Sequence, residues 1–181
     1  MKLAALAGLT ASLAAIAPAA SAGSSPPTTG AVESCSGQSG ASFPHAFTSR
    51  DNLVVGPLAL IGARRFTDAQ TVDRFGGNKF PAVVAAGHRV TIELTRSTRR
   101  FASLGWGPLP QGSRLTARDG HRVVTFRSCG RDDAASDADG RPVTFWSGFV
   151  LASRPGCVPL RIWVDGEPAP RRARLALGRS C

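Results

Sequence analysis

The sequence predicts an all-β fold: an antiparallel β-sandwich (Ig-like) of about seven or eight strands, stapled by disulfides. Three observations carry that expectation. From Leu53 onward the apolar residues recur in short runs bounded by Gly, Pro and Asp. Nowhere do they hold helical spacing for three turns. Four cysteines, an even number, lie outside any C-x-x-C pair. The 181 residues are 43% hydrophobic, enough for one domain with its own core and too apolar for wholesale disorder.

At the amino terminus, Met1 to Ala22 holds one basic residue, Lys2, then an uncharged run from Leu3 to Ala17, Pro18, and the small-residue triplet Ala20-Ser21-Ala22. That order predicts a secretory signal peptide over 1–22, cut after Ala22 to leave Gly23 first. The run falls short of the roughly 20 apolar residues of a membrane span, so no transmembrane anchor is expected after cleavage. No Arg-Arg pair precedes the run and no Cys comes directly after it, which points to the general secretory route without a lipid anchor. Residues 23–45, rich in Ser, Gly, Thr and Pro, read as a flexible leader tied down at Cys35. The sandwich domain is expected over 46–181.

Within it the predicted strands are Leu53 to Ile61, Phe80 to Ala85, Arg89 to Thr95, Arg122 to Cys129, Val143 to Leu151, Val158 to Val164 and Arg171 to Leu177, with a short one at Phe101 to Trp106. Thr67 to Phe75 has room for a turn or two of helix before Gly76-Gly77. Three strands alternate cleanly, and period-2 geometry then assigns their faces. Val90, Ile92 and Leu94 oppose Arg89, Thr91 and Glu93. Leu160, Ile162 and Val164 point inward while Arg161 and Trp163 point outward. Ala173, Leu175 and Leu177 point inward while Arg172 and Arg174 point outward. Asp165-Gly166-Glu167-Pro168-Ala169-Pro170 between the last two strands makes them a hairpin. The stretch from Arg131 to Arg141 is acidic and Ala/Gly-rich, and reads as an exposed tip.

In an exported chain Cys35, Cys129, Cys157 and Cys181 predict two disulfides. Three connectivities are open. Strand ends favour Cys129 with Cys157 and Cys35 with Cys181; the rival joins Cys35 to Cys129 and Cys157 to Cys181.

No catalytic set converges in the sequence. His45, His88 and His121 are the only imidazoles, and two of them adjoin turn glycines. Gly37-Gln38-Ser39-Gly40-Ala41 lacks the last glycine of a G-x-S-x-G elbow and lies in the leader. Asp132, Asp133, Asp137 and Asp139 before Gly140 do not match calcium-loop spacing, and no glycine-rich phosphate cradle exists. No metal or other cofactor is expected. The formal charge is +10, carried by arginine apart from Lys2 and Lys79. Arg161, Arg172 and Arg174 beside Trp163 form a planar donor array suited to carboxylate or phosphate, and this outer face is the candidate anion-binding site. Without Tyr or a nucleic-acid module, and with an exported address, nucleic acid is not the expected partner.

Val55-Gly56-Pro57-Leu58, Phe126-Arg127-Ser128-Cys129, Trp146-Ser147-Gly148-Phe149, Pro155-Gly156-Cys157-Val158 and Leu177-Gly178-Arg179-Ser180-Cys181 together make the chain resemble small secreted proteins of high-GC Gram-positive bacteria. The resemblance implies an exported address and no particular chemistry. The ending from Trp163-Val164-Asp165-Gly166 to Cys181 is faintly similar to the terminal hairpin of secreted subtilisin inhibitors, without their reactive-site loop. The expected function is therefore a non-enzymatic binding or structural module at the cell envelope, its partner an anionic envelope polymer or protein. A secreted hydrolase or protease inhibitor is the alternative.

Overall fold

The computed structural model describes residues 25–40, 43–65, 67–111 and 115–181. The signal peptide expected over 1–22 and its cleavage point lie outside them. The fold is all-β, and its strands, in chain order, are β1 (Ala31–Glu33), β2 (Leu53–Val55), β3 (Leu58–Leu60), β4 (Gly77–Lys79), β5 (Ala82–Ala85), β6 (Arg89–Leu94), β7 (Ala102–Gly105), β8 (Val123–Arg127), β9 (Ala135–Ser136), β10 (Pro142–Trp146), β11 (Phe149–Ala152), β12 (Gly156–Val164) and β13 (Arg171–Leu177). Among the described residues the one α-helix, α1 (Ala69–Phe75), starts where the Asp68 carboxylate accepts the Thr71 N–H at 2.6 Å and stops at Gly76 in the left-handed region, φ 71°.

Among the described residues there are thirteen strands, more than the seven or eight expected, because two apolar runs are broken and three short strands, β1, β4 and β9, lie outside the predicted runs. Leu53 to Ile61 folds back on itself at Gly56 and pairs Leu53 with Leu60. Val143 to Leu151 breaks at Ser147-Gly148, so β10 and β11 enter different sheets. Three sheets result, ordered β1-β8-β6-β12-β13, β2-β3-β5-β10-β9 and β4-β11-β7. The first is not wholly antiparallel, since β1 pairs parallel with β8.

All three sheets feed one core. Ile92, Leu94, Leu160, Ile162 and Leu175 come from the first, Leu58, Leu60 and Val84 from the second, and Leu104 and Val150 from the third; all are essentially inaccessible. Phe126 lies between two buried tryptophans, its ring centroid 5.7 Å from Trp106 and 5.2 Å from Trp146. The second sheet is covered on its other side as well, where Ala59, Val83 and Phe145 pack against Phe43, Ala46 and Phe47. Strands buried on both faces carry continuous apolar runs rather than alternation, which is why Leu58-Ala59-Leu60 and Ala82-Val83-Val84 show none.

The leader expectation gives way over its later part. Ala31 to Glu33 is a strand opposite Val124 to Phe126. The Trp146 indole N–H donates to the Ser34 carbonyl at 3.1 Å, and Glu33 Oε1 accepts the Gly107 N–H at 2.6 Å. The acidic stretch is largely exposed, as expected, and Asp137 ties it down. Asp137 is buried, its Oδ1 accepts the N–H groups of Asp139 and Arg141 at 2.9 and 2.8 Å, and β9 pairs with β10.

The favoured disulfide pairing is corrected. The bonds are Cys35–Cys129 and Cys157–Cys181, and no described cysteine is free. The cause is the parallel pairing of β1 with β8: both strands run the same way, so the cysteines just beyond them emerge at one end, with Cα atoms 4.7 Å apart. At the other end of the first sheet, Gly156 is opposite Leu177, and the chain turns after Gly178 to bring Cys181 back to Cys157. Two such bonds suit an oxidising, extracytoplasmic compartment.

Peptide mapping without reductant is expected to recover the Cys35–Cys129 and Cys157–Cys181 peptides and neither of the other pairings. On the chain-entropy model the longer bridge, spanning 94 residues, contributes roughly 4 to 5 kcal/mol. Changing both Cys35 and Cys129 to Ser is therefore expected to lower the urea midpoint more than changing Cys157 and Cys181.

Candidate functional site

Three neighbouring strands build the site. β6 and β12 pair with Glu93 opposite Arg161 and Ile92 opposite Ile162; β12 and β13 pair with Arg161 opposite Arg172 and Pro159 opposite Arg174. Directly paired residues project to the same side of a sheet, so Glu93, Arg161, Arg172 and Arg174 share the outer face while Ile92, Ile162 and Leu175 fill the core. Beyond β6, a turn over 95–100 is held by Thr95 Oγ1 to Thr98 Oγ1 at 2.8 Å and by the Thr98 N–H to the Thr95 carbonyl at 3.1 Å. It adds Arg96 and Arg99 to the same edge. The five arginines and Glu93, with Thr95, Pro159, Ala169 and Pro170, line an open groove.

Glu93 organises this face. It is only 7% exposed, and both of its oxygens are engaged. Oε1 accepts from Arg99 Nη2 at 3.0 Å; Oε2 accepts from the Trp163 indole N–H at 3.2 Å and faces Arg161 Nη1 at 3.6 Å. Arg99 is fixed again by Nε donating to the Leu94 carbonyl at 3.1 Å. A carboxylate this deeply placed needs such donors, because an unpaired buried charge is strongly disfavoured.

Trp163 is less open than its outward placement implies. Alternation does place it on the outer side, opposite Thr91, but it is buried, with the Arg161 guanidinium 4.9 Å above its ring. Its face is covered by the protein's own cation and its N–H is spent on Glu93, so it supports the site from beneath and offers no stacking surface. Arg172 and Arg174 are exposed, and no carboxylate among the described residues pairs with them or with Arg96. Sequence reasoning missed Arg96, Arg99 and Glu93 as site residues; the signal was Thr95-Arg96-Ser97-Thr98-Arg99-Arg100, a basic turn leaving the strand beside the hairpin.

The hairpin turn has its own clamp. Arg171 grips Glu167 with two parallel bonds, Nε to Oε2 at 2.8 Å and Nη2 to Oε1 at 2.6 Å, beside Gly166 at φ 77°. Those hydrogen bonds hold the Glu167 carboxyl below the usual glutamate range and push the Arg171 guanidinium up.

The other singled-out residues are held apart. His45 Nδ1 pairs with Asp139 at 3.1 Å, His88 Nδ1 with Asp165 at 3.3 Å, and His121 Nε2 with the Pro108 carbonyl at 3.0 Å. Ser39 donates its backbone N–H to the Phe145 carbonyl at 2.8 Å, as part of the chain leading on from β1. Among the described residues no three His, Cys, Asp or Glu side chains cluster at metal-binding distance. No family model, curated protein or solved structure matches this chain.

Two outcomes are expected. Glu93→Ala leaves Arg99, Arg161 and the Trp163 N–H without their acceptor, and urea denaturation is expected to show a loss of about 1–3 kcal/mol. Glu167, its carboxyl held low in the folded state, contributes stability above the ordinary glutamate range that is lost as pH falls through its lowered value. Amide protection factors over 165–171, taken relative to the intrinsic exchange rate at each pH, should therefore fall in acid, and Glu167→Gln should remove that pH dependence.

Proposed function

We propose that this protein is an exported, non-enzymatic module of the cell envelope that holds an anionic envelope polymer on the outer face of its terminal hairpin. One observation carries the reading. Five guanidinium groups line one groove, and the single carboxylate among its lining residues is already committed to Arg99, Arg161 and Trp163. Arg96, Arg172 and Arg174 are thus left with uncompensated charge.

Arg161 and Arg172 sit directly opposite one another, an arrangement that costs free energy through like-charge repulsion. An oxyanion placed between them relieves that cost. The guanidinium fork binds phosphate or carboxylate through two oxygens, which makes it a recognition group rather than a diffuse charge.

The same proposal includes export by a signal peptide cleaved after Ala22 and an Ig-like, sandwich-type packing of the two five-stranded sheets. Two disulfides and the delivery of apolar side chains from both sheets into one core support it.

The test is retention on an immobilised teichoic-acid-like polymer. Since Arg161 braces Glu93, the informative variant is Arg96→Gln with Arg172→Gln and Arg174→Gln, which leaves the Glu93 contacts intact. Wild type is expected to be retained at low salt and released as the screening length shrinks toward about 10 Å near 0.1 M; the triple variant should pass through. Equal, salt-insensitive retention of both proteins overturns the proposal.

A further inference from the structure

A second basic groove opens on the far side of the turn over 95–100. It is lined by Arg99, Arg100, Arg118 and Arg122 with Thr116 and Ser153. Arg99 lines both grooves, so the two meet at that side chain. The backbone keeps them adjoining: the Leu94 N–H donates to the Arg122 carbonyl at 3.0 Å, bringing the start of β8 against the end of β6, where the turn begins. Arg100, Arg118 and Arg122 are exposed, and no carboxylate among the described residues pairs with them.

Asp119 follows Arg118 in the chain. Its Oδ2 accepts both the N–H and the hydroxyl of Thr116, at 2.7 and 2.8 Å, so it is committed to closing its own turn. Across both grooves, eight arginines therefore face one lining carboxylate, Glu93.

Spacing adds a second argument. Arg172 and Arg174 are two residues apart on one strand, so their Cα atoms repeat at about 7 Å. That interval suits a chain that sets its anions several bonds apart, as a phosphodiester does, rather than a compact single anion.

We infer that the two grooves form one continuous track, crossing at Arg99, that binds a linear phosphodiester polymer through several successive phosphates. The inference rests on the anion-binding reading of the first groove and extends it to Arg100, Arg118 and Arg122.

The experiment compares poly(glycerol phosphate) of two lengths, a dimer that fills one groove and a long chain that reaches both, by titration against the oxidised protein. Wild type is expected to bind the long chain far more tightly than the dimer, because the second groove acts on an anion already tethered nearby. Arg100→Gln with Arg118→Gln and Arg122→Gln should weaken the long chain about tenfold and lower its salt slope by about one per arginine removed. The same variant should retain dimer binding at the first groove. Replacement of the three by Lys restores charge and should recover most of the salt slope. Length-independent binding, or a long chain indifferent to the triple Gln variant, overturns the continuous track while leaving the first groove standing. Failure of wild type to bind either length overturns both.

Discussion

With β12 held against β6, a slip of one residue by β13 would turn Arg172 and Arg174 into the core and Ala173 and Leu175 out to water. Every other feature of this face depends on that slip not happening. Burying two guanidinium groups without partners is far costlier than any local gain from a different turn, so the two faces lock the register between them. The chain fixes it again at both ends of the hairpin: Glu167 and Arg171 close the turn, and Cys157–Cys181 closes the open end. β6 then pairs with β12 in the one register that brings Glu93 to Arg161.

Legibility in the sequence depended on solvent. Where one face of a sheet carries polar side chains, open to solvent along Arg171 to Leu177 and paired under Arg99 and Arg161 at Glu93 in Arg89 to Leu94, alternation told the two sides apart, and the inward residues Ile92, Ile162 and Leu175 are among the most buried in the molecule. Where both faces are covered, polarity carries no signal. The run Leu53 to Ile61 therefore read as one strand, although Gly56-Pro57 folds it into two. Alternation also cannot report what lies above a side chain. It placed Trp163 outward, and only the structure shows Arg161 roofing it.

The hardest elements to foresee were those held by distant partners. Ala-Val-Glu at 31–33 is too short and too mixed to announce itself, and it becomes a strand because β8 accepts it and Cys129 anchors Cys35 just beyond its end. The same nonlocal pairing decides the disulfides, so strand order read along the chain favoured the wrong bonds. Glu93 is a parallel case among polar residues: as one acid in an alternating strand it is unremarkable, and its importance comes from Arg99, Arg161 and Trp163 converging on it from two other segments.

The bond pattern also has a bearing on how the molecule is made. Read from the amino terminus, the first cysteine is bonded to the second and the third to the fourth. A chain threaded amino-terminus first into an oxidising compartment, as the proposed export requires, presents Cys129 to Cys35 before either later thiol has arrived. Oxidation in order of arrival then gives the native pairs directly. Either of the other connectivities would leave an early cysteine waiting for a late one and would call for a shuffling catalyst. This molecule's topology lets the timing of delivery do the sorting.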